Sequence, residues 1–208
     1  MSFKRDIHHS FFSSLPGRFK YSVLAGYPNL LPDGVSVMTY QALSPRDKKF
    51  MNFLHEFLYR DEIDDLRIIG LVGSIGAGKT HLMCGAANLP RCYDYRTFVN
   101  WRNITPDLLR ELNMSVSEYV HLLLEWGYLF IDDVKLENKL QSDVFATLIT
   151  TLYNQDTHPG VIFTENWDPA QGDIKAVWNT LVPTYVYDRL VNMTVFMPIT
   201  SGSRRGEQ

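Results

Sequence analysis

The chain is 208 residues long, a length for one domain with at most a short appendage. Hydrophobic residues make up 45% and charged residues 21%, which excludes a mostly disordered chain, and a formal net charge of −3 excludes a general polyanion-binding surface while leaving room for a local basic patch. No apolar run approaches the roughly 18–20 residues of a membrane span. Residues 1–14 lack the apolar core of a secretory signal, and Cys84 and Cys92 are too few for a disulfide framework. A cytoplasmic protein with no membrane partner is expected.

Residues 1–40 mix Phe11, Phe12, Phe19, Tyr21 and Tyr27 with Pro16, Pro28, Pro32 and Gly34 and show no period. They read as an arm, with residues 41–208 as the main domain. Beside Arg18 and Lys20, the aromatics suit stacking on single-stranded bases, docking on a partner protein, or packing on the domain's own flank. Ser44-Pro45 then predicts a capped helix to about residue 59, with Phe50, Phe53, Leu54, Phe57 and Leu58 at helical spacing. Residues 67–72 are almost wholly apolar, as a strand buried on both faces is. A glycine loop and a helix to about residue 88 follow, then a strand over 97–101. Thr105-Pro106 starts a helix, and Ser115-x-x-Glu118 is a capping box that opens another. Strands are predicted at 128–131, 161–164 and 194–199, and helices at 140–153 and 174–181, the last ending before Pro183. Strands alternating with helices predict an α/β fold with a central, mostly parallel sheet. Arg91, Arg96 and Arg102 flank the second strand and suit either a DNA path in an oligomer or a solvated face.

Two segments carry chemistry. Gly73-Ser74-Ile75-Gly76-Ala77-Gly78-Lys79-Thr80 fits G-x-x-x-x-G-K-[ST] between an apolar strand and a helix. Glycines let the backbone wrap a phosphate so that successive N–H groups point inward, and the helix N-terminus adds positive dipole. Lys79 is placed to reach the β- and γ-phosphates, and the Thr80 hydroxyl to hold Mg²⁺. The second segment, Tyr128-Leu129-Phe130-Ile131-Asp132-Asp133, ends an apolar strand in two carboxylates, where a parallel strand opens toward a nucleotide. Asp132 suits Mg²⁺, and Asp133 suits orienting the attacking water. His81, Cys84 and Cys92 read as core or structural residues rather than as a metal site.

Five segments occur in one order: Gly-Lys-Thr-His-Leu at 78–82, Leu-Phe-Ile-Asp-Asp-Val at 129–134, Thr164-Glu165-Asn166, Tyr187-Asp188-Arg189-Leu190, and Thr200-Ser201-Gly202-Ser203-Arg204. Over about residues 40–205 this set resembles the AAA+ ATPases of the DnaC/IstB helicase-loader group. The resemblance implies a P-loop NTPase (AAA+) three-layer αβα sandwich with a minimal or absent C-terminal lid. It implies ATP and Mg²⁺ as cofactors, with His81 a member of the nucleotide-binding set. Asn166 is implied as the sensor at the γ-phosphate. Arg189 is implied as an arginine finger reaching a neighbouring subunit's ATP, against a surface ion pair with Asp188 or Glu165. Arg204 is implied as the second sensor arginine, against a basic tail with Arg205.

The implied function is an oligomeric ATPase, self-associating through its ATP sites, that loads a hexameric replicative helicase on single-stranded DNA. Two alternatives stay open: an IstB-like transposition helper acting on duplex DNA, and a low-turnover, nucleotide-bound adaptor of a replication protein. Three departures stand out. Asp133 replaces the glutamate of many AAA+ proteins. Glu165 replaces a small polar residue and is expected to place a carboxylate near phosphate or to tie down Arg189. The arm is shorter than the group's usual helicase-binding domain.

Overall fold

The computed structural model describes residues 15–31, 33–42, 45–60, 65–125, 127–155, 160–168 and 172–199. Two three-residue strands come first, β1 (Ser22–Leu24) and β2 (Met38–Tyr40), paired in parallel. The helix α1 (Pro45–Tyr59) leads to β3 (Ile68–Gly73), α2 (Lys79–Ala87), the single turn α3 (Pro90–Tyr93) and β4 (Arg96–Asn100). Then come α4 (Pro106–Leu112), α5 (Val116–Leu124), β5 (Tyr128–Asp132), α6 (Lys139–Asn154), β6 (Gly160–Asn166), α7 (Ile174–Leu181), α8 (Thr184–Met193) and β7 (Thr194–Pro198).

Local chemistry sets the helix starts. The Thr105 side chain accepts from Leu108 N at 3.2 Å and opens α4. In the capping box of α5, Ser115 N donates to Glu118 Oε2 at 2.9 Å while Glu118 N donates to Ser115 Oγ at 3.3 Å. Asn138 Oδ1 accepts from Gln141 N at 3.0 Å and opens α6.

Strands β3 to β7 form one sheet in the order β4-β5-β6-β3-β7, and every pairing in it is parallel. Side chains alternate across it. Ile69, Leu71, Phe98, Phe130, Ile162 and Met197 pack with α1, α2 and α3 on one face. Ile68, Val72, Val99, Leu129, Val161 and Phe163 pack with α4 to α8 on the other. The result is a three-layer αβα sandwich. Both faces of the sheet are covered, which is why its strands read as apolar runs rather than as alternating ones.

Two features depart from the sequence expectation, and a third takes one of its alternatives. A second helix, α8, begins directly after Pro183; the proline stands at its N-cap position with φ −57°, a value compatible with starting a helix as well as ending one. The strands β1 and β2 carry no usable period at three residues each. The part of the arm from residue 15 onward packs on the domain's own flank, where Leu15, Leu24 and Tyr40 are buried. Asn88 at the end of α2 secures it, donating to Lys20 O at 3.1 Å and Ser22 O at 2.7 Å. Phe11 and Phe12, and the tail from residue 200 with the lid question and Arg204, lie outside the described residues. Among the described residues, no helix is long and apolar enough to cross a membrane.

Candidate nucleotide site

The loop between β3 and α2 sits at the carboxyl end of the sheet. Its entry demands glycine at residue 73. There φ is +155°, and a Cβ would stand 2.3 Å from the Ile199 carbonyl oxygen. That carbonyl is fixed in place because Ile199 N donates to Val72 O at 2.7 Å. Gly78, at φ +94°, takes the N-cap position of α2 in a left-handed conformation without a side chain to cover the helix end. The first N–H groups of α2 therefore stay open to an anion.

Lys79 is buried, with 6% of its surface exposed. Its ammonium donates to Gly73 O at 2.8 Å, Ser74 O at 2.8 Å and Asn166 Oδ1 at 3.0 Å. Burial lowers its pKa, against the opposing pull of Asp133, Asp132 and Glu165. Thr80 Oγ1 donates to Asp132 Oδ1 at 2.8 Å, and Thr164 Oγ1 donates to the same oxygen at 2.7 Å. Asp133 N donates to Thr164 Oγ1 at 2.8 Å, which holds Asp133 at φ +58°, a left-handed position that Asp tolerates better than most residues. Asn166 Nδ2 donates to Asp133 Oδ1 at 2.6 Å, and the Arg102 guanidinium pairs with Asp133 Oδ2 at 2.5 Å.

Lys79, Thr80, Asp132, Asp133 and Asn166 are therefore brought together as the sequence motifs predict. They line one cavity of about 490 Å³, whose other wall holds Arg18, Phe19, Met38 and His81. The His81 ring stacks on Phe19 with centroids 5.4 Å apart, and its Nε2 lies 3.1 Å from Met38 O. The arm thus supplies one side of the cavity.

Thr164 Oγ1 bonds the Asp132 carboxylate and the Asp133 backbone N–H and is absent from the sequence-derived set. Period 2 on β6 is the signal that finds it, since it lies two residues before Asn166 and shares its face. The same period sends Glu165 the other way. It is buried on the α7 side of the sheet, where it accepts from Trp178 Nε1 at 2.7 Å. It neither stands among the loop's phosphate-facing groups nor holds Arg189. That arginine lies on α8, bonded to Thr150 Oγ1 at 3.1 Å and lying over the rings of Tyr153 and Tyr185 at 5.0 and 5.6 Å. It does not line the cavity.

The trio Arg91, Arg96 and Arg102 is also dispersed. The Arg91 guanidinium donates to Tyr128 Oη, Tyr59 O and Arg60 O at 2.9–3.2 Å. Arg96 donates to Ala87 O at 2.7 Å and Asn88 Oδ1 at 2.5 Å. Both are committed to the fold, which removes them from a DNA-facing group. Cys84 and Cys92 are buried, and burial pushes the Cys92 thiol up to about 12 and that of Cys84 upward as well.

Burial pushes the Glu165 carboxyl up from 4.5 to about 7, against the Trp178 bond and the Lys79 charge. Between those values the folded chain keeps a proton that the unfolded chain releases, so this contribution to stability is whole below pH 4.5 and is lost as pH rises through 7. Glu165→Gln keeps an acceptor for Trp178 and removes the penalty. It is expected to be on the order of 3 kcal/mol more stable than wild type at pH 8, a rise of roughly 6–12 °C in melting temperature, and no more stable at pH 5. Thermal melts of both proteins at the two pH values check this; equal melting temperatures at pH 8 would show that the burial penalty is not there.

A parallel sheet that ends at a glycine loop, with a buried lysine and two successive carboxylates at the end of β5, defines the P-loop AAA+ fold. No family model matches the chain, and a search of curated proteins returns no match. Solved structures do match. A crystal structure of the DnaC helicase loader aligns at 19% identity with a TM-score of 0.59, over 77% of this chain and 93% of that one. DnaI aligns at 21% identity with a TM-score of 0.55, over 91% of this chain and all of that one. AMPPCP-bound DnaA from Aquifex aeolicus aligns at 18% identity with a TM-score of 0.57, and there the match spans 48% of the longer chain. At these identities the likeness is one of fold.

Proposed function

We propose that the chain is an ATPase of the helicase-loader type, binding ATP with Mg²⁺ at the phosphate loop and coupling nucleotide state to assembly on a hexameric replicative helicase and single-stranded DNA. The division of labour between the two carboxylates carries this reading. Asp132 shares one oxygen between Thr80 and Thr164 and has its other oxygen for a cation's water shell. Asp133 instead faces Asn166 and the cavity. The residues suit both groups: Thr80 and Asp132 make the hard oxygen pair that Mg²⁺ takes alongside phosphate oxygens and water, and Phe19 and His81 offer flat surfaces to a base. Mg²⁺ there supplies charge neutralisation on the phosphates.

In this reading Lys79 and the α2 N-terminus hold the phosphates, Asn166 positions the terminal one, and Asp133 orients the attacking water. Arg189 lies outside its own cavity, half-buried on α8 beside Thr150, Tyr153 and Tyr185, and is assigned to the site of a second copy. The fold shared with the DnaC loader and DnaI supports the helicase as partner. The pairing of Asp133 with Arg102 favours one second reading, a nucleotide-bound adaptor with little turnover.

The test is capture of the host's replicative helicase by this protein with ATP, with ADP, and with Lys79→Ala. Retention that changes with nucleotide and is lost in Lys79→Ala is the expected result. No retention in any condition, from a folded chain that binds ATP, would replace the loader with a transposition helper and turn the work to duplex DNA.

A further inference from the structure

Arg102 stands in the cavity but belongs to none of the motifs. Its backbone is anchored. Trp101 is fully buried and its Nε1 donates to Lys135 O at 2.6 Å, while Arg102 N donates to Asn100 Oδ1 at 3.1 Å. Its side chain is 61% exposed, and the carboxylate it pairs with is only 17% exposed. That carboxylate is pinned on its other oxygen by Asn166. A solvent-facing ion pair ordinarily contributes little, but here one partner is fixed and faces the phosphate loop.

The donor inventory sharpens the point. Lys79 has three N–H donors, which meet Gly73 O, Ser74 O and Asn166 Oδ1, so a phosphate draws on Lys79 only by displacing one of these partners. Arg102 has five donors in a rigid fork, and among the described residues its guanidinium meets one carboxylate. A third phosphate seated beyond Lys79 and Asn166 adds negative charge next to Asp133, and among the described residues Arg102 offers cationic donors on that side of the cavity.

We propose that Arg102 is a binding residue for the terminal phosphate of a nucleoside triphosphate, sharing its guanidinium between Asp133 and that phosphate and so giving the site its preference for triphosphate over diphosphate. The inference rests on reading the cavity as a nucleotide site. Asn166 links Asp133 to Lys79, so a phosphate that engages Lys79 and Asn166 comes within the fork's span. The planar, bidentate fork suits phosphate better than a point charge does, so lysine is an incomplete substitute.

The experiment is titration calorimetry of ATP and of ADP, each with Mg²⁺, into wild type, Arg102→Ala and Arg102→Lys, using the full chain. The exposed position of the side chain leaves the fold intact in both variants, which a thermal melt verifies. Arg102→Ala is expected to bind ATP about tenfold more weakly and ADP within about twofold of wild type, with Arg102→Lys in between. Equal weakening for the two nucleotides would overturn the proposal and leave Arg102 as general positive charge. Unchanged affinities would overturn it too, and if single-stranded DNA binding fell at the same time, Arg102 would be a DNA contact. A wild-type chain that binds neither nucleotide would instead refute the nucleotide site itself.

Discussion

Asp133→Asn is expected to hydrolyse ATP about 10²–10⁴-fold more slowly than wild type while binding it within a few-fold. The substitution isolates the negative charge. Asn accepts the left-handed backbone that Asp133 adopts at φ +58°, and the backbone bond to Thr164 Oγ1 is untouched. The amide oxygen still accepts from Asn166 Nδ2, so the arm of the network that reaches Lys79 keeps its geometry. What disappears is the carboxylate oxygen able to accept from an attacking water, together with its ion pair to Arg102. Steady-state turnover and equilibrium ATP binding, measured on the same preparation, separate the two effects. Unchanged turnover would remove Asp133 from catalysis, whereas a wild type that binds ATP with negligible turnover would favour the adaptor reading.

Trp178→Ala is expected to cost the largest share of stability of any single side chain on the α7 face. The indole is 1% exposed, stacked on Phe145 at 4.8 Å and edge-on to Phe163 at 5.9 Å. Truncating a buried aromatic to alanine costs about 3–5 kcal/mol through lost burial and the cavity left behind. Removing the N–H also strands the Glu165 carboxylate without its donor, about 1–3 kcal/mol more. Against the roughly 5–15 kcal/mol that holds a domain together, the variant stands near the edge of folding. Urea titrations at pH 5 and pH 8 check this. The loss is expected to be greater at pH 8, where the acid is ionised, and Trp178→Phe, which keeps the ring, recovers the packing part but not the hydrogen bond. A loss of under about 1 kcal/mol at both pH values would contradict the packing seen here.

The phosphate loop was legible because its chemistry is local: spacing, glycines and one lysine lie within eight residues, and an apolar strand flanks them. The three-layer class was legible for a related reason, since a sheet covered on both faces writes itself as apolar runs. The order of strands was not, because β3 takes partners about 95 and 125 residues downstream that no local pattern names. Glu165 shows a subtler limit. Its neighbours Thr164 and Asn166 face the loop, and adjacency in sequence suggests the same for it, yet the pleat sends it into the opposite layer, onto an indole thirteen residues on. Arg91 and Arg96 looked like available charge and are in fact donors to carbonyls at the ends of α1 and α2. Arg102, the third of that group, is at the site, but nothing in a sequence says which of three similar arginines turns its head to the cavity.

The placement of β3 also has a consequence for synthesis. The strand and its loop leave the ribosome early, yet β6, which flanks β3 on one side, and β7, which flanks it on the other, emerge about 95 and 125 residues later. The carbonyl that presses on Gly73 belongs to Ile199. Until β6 and β7 are made, the nascent chain thus carries a phosphate-loop sequence without the neighbours that shape it. The loop takes its final shape only once β7 and Ile199 pack against β3, so a chain cut short before β7 retains the motif while lacking the edge that shapes it.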